Sequence, residues 1–517
     1  MHNRFAAAVA LVITVAAPAR SQRPLGVDET TIAAVHAALR TGTVTCHALV
    51  QAYLRRIDLY DKRGPALNAI TVVNTDALSI ADSLDHHFAR TRAFVGPLHC
   101  IPMIVKDNFQ TIGMQTAAGN LALKGYTPAK DAFQVRRIKD AGAIVLAKSN
   151  MAEFAFSNVE TVNSLQPGYT KNPFALDRVT AGSSGGTAAA VSANFGEVGL
   201  GTDTGNSIRG PSAHNALVGI RSTMGLTSRA GIAPLSLFAD IAGPIARTVA
   251  DAVAVLQVVA GYDPDDSVTA AVRGKPLPNY AASLDRNGLK GARVGVLRQA
   301  YERPTLDSDV VRVFARAVAD LRRAGATVVD TVTVPELDSI RRSNTSPCNP
   351  FQYEFNQWLA QQGTGVPVKV LDSIVRRRQF HPSIEVRLNA AIAFKATPDT
   401  APGCVARQRV RAGLRDATTK LMDRLRLDAL IYPTWSNPPR LIGDLNTPDG
   451  DNSQVFSPTT GMPAITVPMG YTRDNTLPAG LQLLGRTFDE ERLIRLAYAY
   501  EQSTTWRREP PTVPPIK

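Results

Sequence analysis

Histidine and cysteine are both scarce in this chain, at eight and four of 517 residues. His86 and His87 are adjacent, so they cannot present both rings on one helix face, and no HExxH spacing occurs. The cysteines, Cys46, Cys100, Cys348 and Cys404, include no close pair of the kind that builds a zinc knuckle or a thioredoxin-type motif. The glycine-rich segments lack the lysine of a phosphate-binding loop, so nucleotide dependence is not indicated and no cofactor is expected. Basic residues are plentiful but unclustered. The net charge is +13, yet Arg376-Arg377-Arg378 is the densest run, which reads as a solvated face and excludes nucleic acid as an expected partner.

What is present begins with a short apolar segment. His2, Asn3 and Arg4 precede the run from Phe5 to Ala17, and small residues follow at Ala19 and Ser21. This reads as a secretory signal over residues 1–21, too short to span a bilayer comfortably. The expectation is a soluble, exported protein, periplasmic or secreted, without stable membrane insertion once the signal is removed. In such a compartment Cys348 and Cys404, both in Pro-rich loop contexts, could bridge. Cys100 reads as a buried small hydrophobe.

A helix–glycine–strand cadence recurs along the rest of the chain. Lys130 to Ala141 has helical periodicity, Gly142 sits at a cap position, and Ala143 to Ala147 reads as a buried strand. The pattern returns at Ser308 to Ala324, Gly325, and Ala326 to Val334; Val294 to Leu297 and Ala429 to Tyr432 are further short strands. This alternation predicts an α/β fold with a parallel or mixed sheet covered by helices. Residues 22–517 read as one domain. Residues 261–290 read as a long surface connection, and Arg341–Gly403 as a helical excursion suited to a substrate lid or to a plain surface insertion.

Chemistry concentrates at three places. Lys106 is a lone basic residue ending the apolar run Ile101-Pro102-Met103-Ile104-Val105. A buried ammonium must shed its proton or find partners, and a neutral lysine is a base. Two serine-bearing glycine-rich turns follow, Gly182-Ser183-Ser184-Gly185-Gly186 and Thr202-Asp203-Thr204-Gly205-Asn206-Ser207-Ile208-Arg209-Gly210. Taken singly, Lys106 could snorkel from a strand end, Ser183-Ser184 could be a linker and Ser207 could cap a turn. Together they are what acyl transfer without histidine requires. A competing reading places a nucleophile elbow at Ser184, within Gly182-Ser183-Ser184-Gly185-Gly186. It needs a strand just before it, for which 174–180 is poor, and a downstream histidine, either His214 or His381.

The ordered set of motifs resembles the amidase signature family from about residue 30 to the C-terminus. The resemblance is carried by Gly96-Pro97-Leu98, Ile101 to Asn108, Lys148-Ser149-Asn150-Met151-Ala152-Glu153-Phe154, both serine turns, Gly461 to Pro468 and Leu477 to Gln482. It implies a large mixed sheet wrapped on both sides by helices, with the signature core at roughly 85–250. It also implies a Ser–Ser–Lys triad: Ser207 as nucleophile, Ser183 as a bridging serine held through a cis peptide, and Lys106 as base. Ser184, Asp203 and Arg209 fall at supporting positions. The backbone N–H groups of Thr204, Gly205, Asn206 and Ser207 would form the oxyanion hole. The family commonly has glycine where this chain has Asn206, a residue that tolerates positive φ and whose side chain could narrow the acyl pocket.

The implied reaction is hydrolysis of a small-molecule or peptide amide by a monomer or homodimer. Arg341–Gly403 and Tyr432-Pro433-Thr434-Trp435 are the expected pocket lining. Two other classes stay open: the amide-handling subunit of a tRNA-dependent amidotransferase, and a non-catalytic binding protein on the same scaffold.

Overall fold

Short apolar runs build the sheet. A computed structural model describes residues 26–343 and 346–516, so the expected signal segment 1–21 lies outside the described residues. The strands are β1 (Ile70–Val73), β2 (Pro102–Lys106), β3 (Ile144–Ser149), β4 (Lys171–Asn172), β5 (Ala175–Val179), β6 (Val198–Asp203) and β7 (Val218–Arg221). They continue as β8 (Ile241–Ala246), β9 (Arg293–Leu297), β10 (Thr327–Val332), β11 (Ala429–Pro433), β12 (Ala464–Thr472) and β13 (Leu477–Leu484).

Eleven of these form one sheet in the order β1-β3-β2-β6-β8-β7-β12-β13-β11-β9-β10. It is mixed, as expected. β2 runs parallel to β3 and β6, and β9 parallel to β10 and β11, while the centre is antiparallel through β6/β8, β8/β7, β7/β12 and β12/β13. Every residue of β2, β3, β6, β8, β12 and β13 is buried. Strands apolar on both faces need cover on both faces, and the helices supply it.

The helix over Gly185–Ser192 is buried along its whole length. Its small residues let it pass close to β2, β6 and the chain around Asn150. A Cβ on Gly186 would collide with the Asn150 carbonyl and stand 2.7 Å from the Asn150 nitrogen and 2.8 Å from the Ala69 carbonyl. Backbone cannot yield as a side-chain tip can. Glycine is therefore required here by close approach, and the helix start is held against the strand that bears Lys148.

The cadence elements land close to their expected places, with helices at Phe133–Asp140 and Ser308–Arg323. Three expectations need correction. Cys100 is not a free buried thiol; it is disulfide-bonded to Cys46, joining the helix Cys46–Tyr60 to the turn before β2. Residues 174–180, a poor strand by pattern, do form β5, but in a two-stranded hairpin with β4 outside the main sheet. Residues 261–290 are more than a surface connection. Asp263 and Asp266 are buried, Asp263 accepting from the Ser228 hydroxyl at 2.6 Å and Asp266 pairing with Arg229 at 2.6 Å.

Within the expected excursion Arg341–Gly403, the described residues form helices at Phe351–Gln361, Leu371–Arg376 and Glu385–Ala393. Phe351 packs on Phe156 (ring centroids 4.6 Å apart) and Phe355 on Phe154 (5.0 Å). The Cys348–Cys404 disulfide, an open possibility from sequence, is present and ties this excursion to the next helix, Pro402–Arg424.

Gly186→Ala is expected to destabilise the protein by about 1–3 kcal/mol, the usual penalty of overpacking a rigid site. The readout is the thermal unfolding midpoint, and a variant as stable as the parent would show that this contact is not tight.

Candidate active site

Two parallel strands set the geometry. β2 and β6 are neighbours with Val105 beside Leu200, so Lys106 and Thr202 emerge near one another at their C-terminal ends. Lys106 is fully buried and donates from Nζ to Ser183 Oγ at 2.7 Å and to Thr202 Oγ1 at 2.7 Å. Burial pushes its ammonium down to about 7, against the opposing pull of the Asp203 and Asp240 carboxylates. A second buried lysine gives a contrast. Lys148 is solvated by the Phe109 and Gln115 carbonyls (2.6 and 3.1 Å) and the Thr111 and Thr116 hydroxyls (both 3.3 Å). Burial lowers Lys148 as well, to about 8 with the Asp107 carboxylate opposing, but four acceptors surround it where Lys106 meets only two hydroxyls.

Ser183 follows Gly182 through a cis peptide bond, as the family resemblance implied. Ser184 turns inward, donating to the Thr202 carbonyl at 3.1 Å and accepting from the Thr202 N–H at 3.3 Å. It thereby fastens the first serine turn to β6. The competing elbow reading fails on this arrangement. His214 is buried against Trp435, centroids 4.6 Å apart, and His381 Nδ1 bonds Ser383 Oγ at 2.8 Å. Neither reaches Ser184.

The second turn is held from below by a buried ion cluster. Asp203 accepts from Arg209 Nε at 3.0 Å, Arg221 Nη1 at 2.9 Å and the Ile208 N–H at 3.1 Å. Burial alone would raise its carboxyl, but the two guanidiniums hold it down to about 2. The arginines also orient the loop. Arg209 Nη2 donates to the Gly205 carbonyl at 2.6 Å, Arg221 Nη1 donates to the Asp203 carbonyl, and the Gly210 N–H donates to the Asn206 carbonyl at 2.7 Å.

A trans peptide points its N–H opposite its C=O. With these three carbonyls drawn inward, the N–H groups of Thr204, Asn206 and Ser207 point the other way. None of them, nor the Gly205 N–H, is taken by an acceptor among the described residues. Thr204 to Ser207 line a cavity of about 540 Å³.

Ser207 is 4% exposed, at the wall of that cavity, and its hydroxyl makes no hydrogen bond to another described residue. Asn206 does not adopt the left-handed backbone that its glycine-like position invited. It fits without that conformation, lines the cavity and donates from Nδ2 to the Asn158 carbonyl at 3.4 Å.

The pocket lining also differs from expectation. Arg387 comes from the excursion, but Arg407, Val410 and Leu414 come from the helix Pro402–Arg424. Tyr432 to Trp435 do not face the cavity. Tyr432 is buried, accepting from Gln482 Nε2 at 2.5 Å.

Sequence reading also missed Thr202, Arg221 and Asp240. Thr202 stands within the quoted second turn, but only the placement of β6 beside β2 brings it to Lys106. Arg221 and Asp240 lie on β7 and after Phe238, and only the strand order brings them to the loop. Asp240 accepts from the Thr204 hydroxyl at 2.5 Å.

A lysine–serine pair behind an oriented glycine turn, on a mixed sheet of this size, defines a hydrolase of the amidase type. The profile of the Amidase family matches residues 48–494, and the chain belongs to that family. It is 32% identical over 519 residues to a probable amidase of Arabidopsis thaliana, covering 97% of this chain and 95% of the relative. It is 33% identical over 498 residues to a Glutamyl-tRNA(Gln) amidotransferase subunit from Halorhodospira halophila, covering 93% and 98%. Among solved structures, the native peptide amidase from Stenotrophomonas maltophilia superposes with a TM-score of 0.84 at 35% identity, covering 93% of this chain and 98% of that one. The chain is an amidase.

Asp203→Asn would leave Arg209 and Arg221 buried beside a neutral amide. Breaking such a cluster costs about 3–5 kcal/mol. The unfolding midpoint should fall accordingly, and an unshifted midpoint would mean that the cluster does not hold the loop.

Proposed function

We propose that the protein hydrolyses carboxylic amides to the acid and ammonia or an amine, through an acyl-enzyme on Ser207. The observation that carries the reading is Lys106, fully buried, 2.7 Å from Ser183 Oγ and depressed to about 7. A serine hydroxyl is a weak nucleophile unless a base takes its proton as it attacks. The neutral Lys106 amine receives the Ser183 proton while Ser183 takes that of Ser207, so the charge ends on Lys106.

The Ser207 oxygen bonds to the carbonyl carbon, and the carbonyl oxygen becomes an oxyanion. The outward N–H groups of Thr204, Gly205, Asn206 and Ser207 are its donors, each such donor being worth about 3 kcal/mol in the transition state. Lys106 then returns the proton through Ser183 to the departing nitrogen, which cannot leave as an anion. Water attacks the acyl-enzyme by the same relay, releasing the acid. The Ser183–Ser207 bond closes when substrate fills the site, as catalytic hydrogen bonds commonly do.

Ser184, Asp203 and Arg209 are positioning residues in this scheme, and Thr202 joins them by supplying the second partner of Lys106. The likeness to a peptide amidase favours amidated peptides and related small amides as substrates. A role within a tRNA-dependent amidotransferase is disfavoured by the two disulfides, since cytosolic proteins seldom keep them. The same pair, with the apolar segment at 5–17, supports export to the periplasm or beyond. Among the described residues no helix is long and apolar enough to cross a membrane. A monomer or homodimer would suffice for this chemistry.

Ser207→Ala should lower kcat at least a thousandfold on a panel of amidated dipeptides and aryl amides, and should abolish labelling by a fluorophosphonate. Labelling that persists in the variant would move the nucleophile elsewhere. The pH profile tests the base. Lys106 works only when neutral, so kcat/KM should rise with pH through about 7 and level off above it. A rate that stays flat from pH 5 to 9 would remove Lys106 from the relay.

A further inference from the structure

The cavity before Ser207 carries charge of a single sign in its wall. Arg387, from the helix Glu385–Ala393, and Arg407, from the helix Pro402–Arg424, both line it, and no aspartate or glutamate among the described residues does. Burial lowers both guanidiniums, and a nearby carboxylate opposes this only at Arg407. That carboxylate is Glu354, which accepts from the Leu237 N–H at 2.8 Å and makes no ion pair with Arg407.

Donor capacity is left over. A guanidinium has five N–H groups. Arg387 donates to the Phe156 carbonyl, and Arg407 reaches Cys348 Sγ at 3.2 Å while resting 4.7 Å over the Phe238 ring. Arg411, one turn on, differs: it stacks on Phe238 at 3.6 Å and donates to the carbonyls of Thr459 (3.0 Å) and Phe238, so it acts as wall structure. Arg407 is also firmly placed. The Cys348–Cys404 disulfide anchors the first turn of its helix, and a rigid support is what a recognition group requires.

Both are partly desolvated cations in the wall of one cavity, and a ligand that brings an anion there stabilises each of them. We propose that Arg387 and Arg407 recognise a carboxylate on the acyl portion of the substrate, making the enzyme selective for acidic amides. This rests on the amide-hydrolase reading above. Where the product is ammonia the leaving group needs no pocket of its own, which leaves the space of about 540 Å³ to the acyl part. The net charge of +13 favours approach of the same ligands.

The test compares N-acetyl dipeptide amides carrying Glu or the neutral Met at the last or the penultimate position. For at least one position the full enzyme should favour Glu by about tenfold or more in kcat/KM, mainly through KM. The preference should shrink as salt is raised. Arg387→Gln and Arg407→Gln should each cut the Glu/Met ratio severalfold, and Arg407→Lys should restore part of it. Equal or better cleavage of the Met amides at both positions would overturn the proposal while leaving the amidase reading intact, as would a ratio that survives both substitutions. Cleavage of neither amide, under conditions where Ser207 takes up a fluorophosphonate, would overturn it as well. Absence of both cleavage and labelling would defeat the hydrolase reading itself. Should either variant fail to fold, the parent's ratio and its salt dependence still decide.

Discussion

The cost of burying an ammonium group organises this site. Lys106 ends a strand that is buried at every position, and water is replaced there by two hydroxyls, those of Ser183 and Thr202. Two neutral oxygens do not compensate for lost hydration, so burial lowers the ammonium to about 7. Lys148, on the adjacent strand β3, shows the other outcome. Its carbonyl and hydroxyl partners at Phe109, Gln115, Thr111 and Thr116 surround the ammonium. Burial lowers both ammoniums, Lys106 to about 7 and Lys148 to about 8, and the larger acceptor set of Lys148, with the Asp107 carboxylate nearby, favours its charged form more.

The loop that carries Ser207 is tied to that arrangement indirectly, through Asp203. One carboxylate pairs with Arg209 and Arg221, and the two arginines then draw the Gly205 and Asp203 carbonyls into the interior. Because the peptide unit is rigid, anchoring the carbonyls is enough to aim the amide hydrogens at the cavity. The orientation of these N–H groups is thus set by buried charges beneath the loop. Asp203 also favours the protonated form of Lys106, so loop anchoring and the titration of Lys106 are coupled through one carboxylate.

Much of this was legible along the chain. The isolated Lys106 at the end of an apolar run, and serines on glycine turns, are local signals whose chemistry follows from residue type. The helix–glycine–strand cadence was equally local, and the helices and strands around Gly142 and Gly325 fell where periodicity put them. The Cys46–Cys100 bridge was not legible: 54 residues separate its ends, and only the fold brings them together. Nor was the lining of the cavity. Tyr432 to Trp435 look like a pocket edge by composition but are turned inward, while Arg407 and Val410 sit in a long helix whose facing is set by the Cys404 bridge and by Phe238.

By itself the sequence determined the chemical inventory and several local conformations: which lysine and serines stand on which turns, and the short apolar strands at 101–106, 143–147, 294–297, 326–334 and 429–432. Those follow from side-chain chemistry and short-range backbone preference, which act over a few residues. Tertiary structure alone decided which of those groups meet. The sheet order sets β6 beside β2, and so Thr202 beside Lys106, and brings Arg221 under the loop that carries Ser207. Such contacts join residues far apart in the chain, and their energies depend on burial and distance, quantities that exist only once the chain has folded.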